Sequence, residues 1–304
     1  MAVYDYTYKT WSGKLHGALL RWLTIPKFTY LEFLSKKTFI WLFSMAWFPF
    51  LLFVAYIYIT LNIRLMSEYI PLLNRIPPNL LKPAEANFFK SFIDIQIVNC
   101  FVFVFMMGTG LISKDLKNRA IVLIVSKPIN RWEYFLGKFS SLFALVFLFV
   151  GVQPQLLFGL QYILSEADSN WRVRFWDDYA WISHSILVYS LIVSLMMCIL
   201  VLAASCLSKN SRYAGMTFFI YIVGTIISST ILAGMIEKDF PFVISPWHSC
   251  RALGSHLFPR GAETMKDNLY LMPLWLVWSG IGIQLALGSA IIWWRLRRAA
   301  RQVN

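Results

Sequence analysis

Ile182-Ser-His-Ser-Ile-Leu-Val-Tyr-Ser190-Leu-Ile-Val-Ser-Leu-Met-Met-Cys-Ile-Leu200-Val-Leu-Ala-Ala-Ser-Cys-Leu207 contains no Asp, Glu, Lys or Arg and is apolar on every face of a helix drawn through it. A helix needs about 20 such residues to cross a hydrocarbon core about 30 Å thick. Five more runs meet that length: Phe39 to Ile63, Phe92 to Ile112, Phe139 to Leu164, Ala214 to Ile236 and Pro273 to Trp294. None alternates in polarity as a barrel strand would, so helices must satisfy the backbone internally.

The rest of the composition agrees. Of 304 residues, 58% are hydrophobic and only 14% charged, where a soluble domain carries about a quarter charged residues. The predicted fold class is an all-α integral membrane protein with about six transmembrane helices. Residues 39–294 form one membrane domain, flanked by an amphipathic segment over 1–38 and a basic tail over 295–304.

A net charge of +13 could point to nucleic acid, but its distribution along six spans says otherwise. Lys9, Lys14, Arg21, Lys27, Lys36, Lys37, Lys114, Lys117, Arg119, Lys127, Arg131, Lys138, Lys209, Arg212, Arg295, Arg297, Arg298 and Arg301 share one side, most of the 28 Lys and Arg. Only Asp5, Glu32, Asp115 and Glu133 accompany them. This is the positive-inside pattern, which also favours anionic lipid headgroups. It predicts a multi-pass protein of the cell inner (plasma) membrane with both termini cytoplasmic, and it makes a nucleic-acid partner unnecessary.

Before the first span, Trp11, Leu15, Leu19 and Trp22 share one arc of a helix with Lys14 and Arg21 beside it, which suits a helix lying on the inner surface. Pro26 is expected to break it. Pro71, Pro77, Pro78 and Pro83 make the loop from Arg64 to Phe89 a turn-rich connection. The segment from Glu237 to Leu271 is too apolar for a solvated loop, and short interfacial or re-entrant helices are expected there. Cys100, Cys198 and Cys206 fall within spans and only Cys250 outside, so no disulfide framework is expected.

Few residues carry recognisable chemistry. The Gly-Lys pairs, Gly13-Lys14 and Gly137-Lys138, lack the spacing of a phosphate-binding loop, so ATP hydrolysis in this chain is not expected. His248, Cys250 and His256 are close in sequence but lack zinc-site spacing. Asp94, Gln96 and Asn99 form a polar cluster in the second run; Asp94, four residues after Lys90, fits a headgroup-level ion pair as well as a transport role. In the third run Gly151, Gln153, Pro154 and Gln155 interrupt the apolar sequence, and proline frees a carbonyl one turn earlier. Asp94, Gln96, Gln153 and Gln155 are the candidates for a translocation path; the alternative is that the glutamines bond to neighbouring helices. Ser190, Ser194, Ser205, Thr225, Ser228, Ser229 and Thr230 read mostly as packing residues.

The most informative segment comes after the second span: Gly108-Thr-Gly-Leu-Ile-Ser-Lys-Asp115-Leu-Lys-Asn-Arg119, then Ala120 to Val125, then Ser126-Lys127-Pro128-Ile129-Asn130-Arg131-Trp132-Glu133-Tyr134-Phe135-Leu136-Gly137-Lys138. A short helix bearing Ile121, Val122, Leu123 and Ile124 between basic flanks offers apolar anchors and a charged rim, which suits either a protein interface or the membrane surface.

An acid several residues after a glycine, a short apolar helix, a Pro-x-x-Arg turn and a Gly-Lys opening the next span together resemble the permease subunits of type-2 ABC exporters. The amphipathic start, the six spans and the partly apolar segment before the last one extend the resemblance over nearly the whole chain. Two departures are Asp115, where the family often has Glu, and Asn118-Arg119, near which it often has Gly-Thr.

The resemblance implies that the stretch from Asp115 to Val125 is a coupling helix docking on a separate ATPase. Asp115, Arg119, Val122, Leu123, Pro128 and Arg131 would form that interface. It implies two permeases, a homodimer or a pair with a related permease, working with two ABC ATPase subunits. ATP and Mg would belong to the ATPase, with no cofactor in this chain, and a periplasmic or extracellular partner is compatible with the family. The expected function is thus that of a permease driven by ATP hydrolysis elsewhere, and not of an enzyme. The alternatives are a membrane scaffold or anchor within a larger complex, or a membrane-embedded lipid-modifying enzyme, which would need converging His, Asp or Glu at one depth.

Overall fold

The computed structural model describes residues 22–61, 86–118, 131–164, 169–236, 240–258 and 272–301. The described residues contain helices and no strand. Among the described residues six helices are long and apolar enough to cross a membrane: Lys37–Thr60, Ala86–Lys117, Trp132–Leu164, Phe175–Leu207, Ser211–Ile236 and Leu274–Arg295. They are spans one to six below. Several outrun the apolar stretches that announced them: span two starts at Ala86 and span three at Trp132, because their polar flanks keep helical geometry past the hydrocarbon boundary. Residues 1–21, 62–85 and 119–130 lie outside the described residues, and with them most of the amphipathic N-terminal segment and the proline-rich loop.

Span four is the axis of the bundle. In its most apolar window 72% of residues are buried within the chain, against 11% in span five. Tyr189, Val193, Met196, Val201 and Leu202 lie in the core, while Leu187, Val188 and Leu191 leave an exposed stripe. Aromatic contacts knit spans one to three around it: Phe39 on Phe103 at 5.9 Å, Phe43 on Phe149 at 5.5 Å and Phe53 on Phe92 at 4.9 Å between ring centroids. In a lipid solvent such packing, with interhelical hydrogen bonds, replaces the hydrophobic drive that holds a soluble bundle together.

Ahead of span one a helix runs over Thr24–Leu34. Pro26 sits in its first turn, where a missing N–H costs nothing; the helix carrying Trp11, Leu15 and Leu19, which Pro26 was expected to end, lies outside the described residues. The Thr24–Leu34 helix rests on span three. A Cβ added to Gly137 would lie 2.7 Å from Ile25 Cβ, and Tyr30 donates to the Ser141 carbonyl at 3.1 Å.

Between spans five and six a 3-10 turn, Phe240–Ile244, leads into a short helix, Pro246–Leu257, that is largely buried. Ser245 caps its start and Pro246 occupies the first turn, the arrangement expected of a helix N-terminus. Gln284 of span six donates to the carbonyls of Val243 and Ile244, both at 3.2 Å. A Cβ added to Gly254 would approach Tyr189 to 2.9 Å, so this helix is seated directly on span four. The segment's apolar sequence is thereby explained: it packs inside the protein.

Candidate functional site

Two of the spans are not continuous α-helices. Span two passes through a π-helical turn at Val104–Gly108 and span three through one at Leu148–Val152. Such turns are rare, collect at functional sites, and leave backbone groups without regular partners. Span four supplies the partners. Ser205 donates to the Thr109 carbonyl at 2.8 Å and accepts from the N–H groups of Ile112 and Ser113, both at 3.0 Å. Gly108 makes the approach possible, since a Cβ there would lie 3.1 Å from Val201.

The break in span three is handled the same way. Pro154 has no N–H to offer the Val150 carbonyl one turn back, and the Ser190 hydroxyl donates to that carbonyl at 2.7 Å, sharing its proton with the Ile186 carbonyl. Ser190 and Ser205 are both fully buried. Two serines that read by sequence as packing residues are therefore the clasps of the two helix breaks.

The candidate path residues divide into three groups. Gln96 donates to Gln153 Oε1 at 2.6 Å and to the Ala46 carbonyl at 2.9 Å, in the turn before Pro49 of span one. Asn99 donates to Gln96 Oε1 at 3.4 Å. Gln96 and Gln153 are wholly buried, so this pair ties spans one, two and three together. Gln155 is separate, donating to Ser183 of span four. Asp94 lies 3.9 Å from Lys90, but Lys90 is only 2% exposed and also donates to Ser255 of the short helix at 3.4 Å. The lysine of the pair is therefore covered by protein, while Asp94 keeps about a third of its side chain exposed.

At the opposite end of the bundle, where Lys36, Lys114, Lys138 and Arg295 gather, the two ends of the 119–130 loop are fastened to each other. Asp115, near the end of span two, accepts from the Tyr134 hydroxyl at 2.7 Å, and its Oδ2 lies 3.0 Å from Lys138 Nζ; both partners are in span three. Hydrogen bonds to an ionised carboxylate are about twice as strong as neutral ones, and this group is largely shielded from water. Glu32 in the helix before span one adds an outer contact, 2.7 Å from Lys36 and 3.5 Å from Lys114. Burial pushes the Glu32 carboxyl up, but the two lysines outweigh it and hold the group below its ordinary range. Both residues of the Gly137-Lys138 pair thus have a partner: Gly137 receives Ile25 and Lys138 receives Asp115.

Arg119, Val122, Leu123 and Pro128 lie outside the described residues; Arg131 begins the helix of span three and its side chain lies outside them too. Sequence reading named Asp115 but gave no role to Tyr134 or Lys138, although a Tyr and a Lys one turn apart, opening the next span, are the signal that could have found them. His248, Cys250 and His256 do not converge. His248 meets Ser229 at 3.1 Å, His256 meets the Met272 carbonyl at 2.8 Å, and Cys250 is buried. Among the described residues no group of three or more His, Cys, Asp or Glu is placed to hold a metal.

Asp115 fastens the two described chain ends that flank residues 119–130, and the spans they belong to each contain one π-turn clasped to span four by a serine. Residues 85–283 match the family model described as ABC-2 family transporter protein. No curated protein matches the chain.

Proposed function

The chain belongs to the ABC-2 family of transporter proteins, and from that premise we propose that it is a permease whose movement is driven by ATP binding and hydrolysis in a separate ABC ATPase docked on the 119–130 loop. It is a multi-pass membrane protein and a component of membrane transport; permeases of this family generally work with an ATP-binding subunit. The observation that carries the proposal is the Asp115–Tyr134–Lys138 cluster. A loop fixed at both ends to adjacent spans cannot absorb a push by flexing at its roots, so displacement passes into the helices. The π-turns are where those helices can bend, and Ser190 and Ser205 are the contacts exchanged when they do.

In this reading the docking surface is made by Val122, Leu123 and Arg131, with Arg119 and Pro128 shaping it. The basic end of the bundle faces the cytoplasm of the cell inner membrane, where the ATPase, with its ATP and Mg, resides. A second permease, identical or related, completes the unit, and the exposed face of span five is available to it. The Gln96–Gln153 pair reads as a latch between spans, and Gln155 and Asp94 remain the residues proposed to meet a substrate.

The test is to replace Val122 and Leu123 by Asp, and separately Arg131 by Glu, in the chain coexpressed with its ATPase. Insertion is expected to be intact while copurification and stimulation of ATP turnover are lost. Association unchanged in all the variants would refute the docking surface.

A further inference from the structure

At the basic end an apolar cleft of about 300 Å³ lies between spans three and six. Its walls are Trp132, Leu136 and Phe139, one helical face of span three, and Ser289, Ile292 and Trp293, one face of span six. Ile199 of span four forms the floor; Gly288, where a Cβ would lie 2.6 Å from Ile199, lets span six come down on it. At the mouth Trp132 and Trp293 stack with centroids 5.0 Å apart. Directly beyond Trp293 a second cavity of about 360 Å³ is walled by Trp293, Trp294, Arg297 and Arg298.

We propose that these two cavities together form a binding site for an anionic phospholipid, with an acyl chain in the cleft between Trp132 and Trp293 and the phosphate on Arg297 and Arg298. Depth fits: Trp132 opens one span and Trp293 lies near the end of another, where tryptophan marks the headgroup level. Charge fits as well. Arg297 lies with its Cζ 4.1 Å from the Trp293 centroid and Arg298 5.7 Å from that of Trp294, and stacking leaves the edges of a guanidinium free for the two oxygens of a phosphate. Both arginines are exposed, and no described carboxylate forms an ion pair with either. Arg295 is otherwise engaged, donating to the Cys206 and Leu207 carbonyls at 3.0 and 2.7 Å; it anchors span six and leaves the rim to the other two. A zwitterionic lipid would bring its own cation against this rim, so the site selects net negative charge.

The experiment is native mass spectrometry of the full chain, delipidated in detergent, titrated with phosphatidylglycerol and with phosphatidylcholine of the same acyl chains. Phosphatidylglycerol is expected to bind at least about tenfold more tightly, and the Arg297→Gln/Arg298→Gln variant to lose that preference. Ser289→Phe, which fills the cleft and leaves the arginines alone, is expected to weaken both lipids. Arg212→Gln, an exposed basic residue at the same end, is expected to change nothing. Four results would each overturn the site: equal binding of the two lipids, a preference that survives the double substitution, an equal loss in Arg212→Gln, or displacement of phosphatidylglycerol by millimolar inorganic phosphate.

Discussion

Lys138 Nζ lies 3.0 Å from Asp115 Oδ2, joining the early turns of span three to the last turn of span two. Only a modest part of either side chain is open to solvent, so removing one partner strands the other. Asp115→Ala is expected to cost about 1–3 kcal/mol, because it leaves a lysine and a tyrosine hydroxyl without their shared acceptor. A cycle combining it with Lys138→Met should show strong coupling when melting temperatures are measured in detergent. Additive effects would mean that the pair is not engaged.

Ser190 and Pro154 should be coupled in the opposite sense. Ser190→Ala removes the donor to the Val150 carbonyl and is expected to lower stability by about 1 kcal/mol. Pro154→Ala restores an N–H one turn later that can reach the same carbonyl. The double variant should therefore melt close to the Pro154→Ala single variant, with the serine no longer contributing.

Ser205 serves three backbone groups at once, so Ser205→Ala is expected to be the more damaging serine substitution, about 1–3 kcal/mol, with hydrogen exchange rising at Ile112 and Ser113. Cysteine, with a weaker donor of similar size, should recover only part of the loss.

Gly137→Val is expected to push the Thr24–Leu34 helix off span three, because the new side chain would occupy the space of Ile25. Ile25→Ala in the same chain should restore the packing, read as protection of the Lys27 peptide bond from trypsin.

His248 gives a pH dependence. Burial pushes its imidazole below the ordinary range and Arg251 adds to the shift, while Ser229 shares a hydrogen bond with it. The folded state therefore resists protonation more than the unfolded chain does. Its stabilising contribution is complete above the unfolded value of about 6.5 and declines as pH falls below it. Melting temperature measured from about pH 8 to 5 should show that decline, and His248→Gln should flatten it.

The spans are legible in the sequence because a run such as Ile182 to Leu207 has only one solvent that suits it. The freed carbonyl before Pro154 is legible for a similar reason: proline's missing N–H is a local fact. The group that receives that carbonyl is not, since Ser190 looks like any small residue until span four is known to lie beside span three. Asp115, Gly137 and Lys138 are visible as a pattern, but their partners depend on which ends come together across the loop. Lys90 and Asp94 suggest the headgroups because they sit near a span end, and only the seating of the Pro246–Leu257 helix shows that protein covers the lysine.

The central claim is that motion in a partner ATPase reaches the spans through the fastened loop. The most direct measurement is ATP turnover and transport in a reconstituted permease–ATPase complex carrying Asp115→Asn with Lys138→Met. The expected result is a complex that assembles normally and hydrolyses ATP, but with transport per ATP reduced at least about tenfold. Transport per ATP equal to that of the unaltered complex would contradict it.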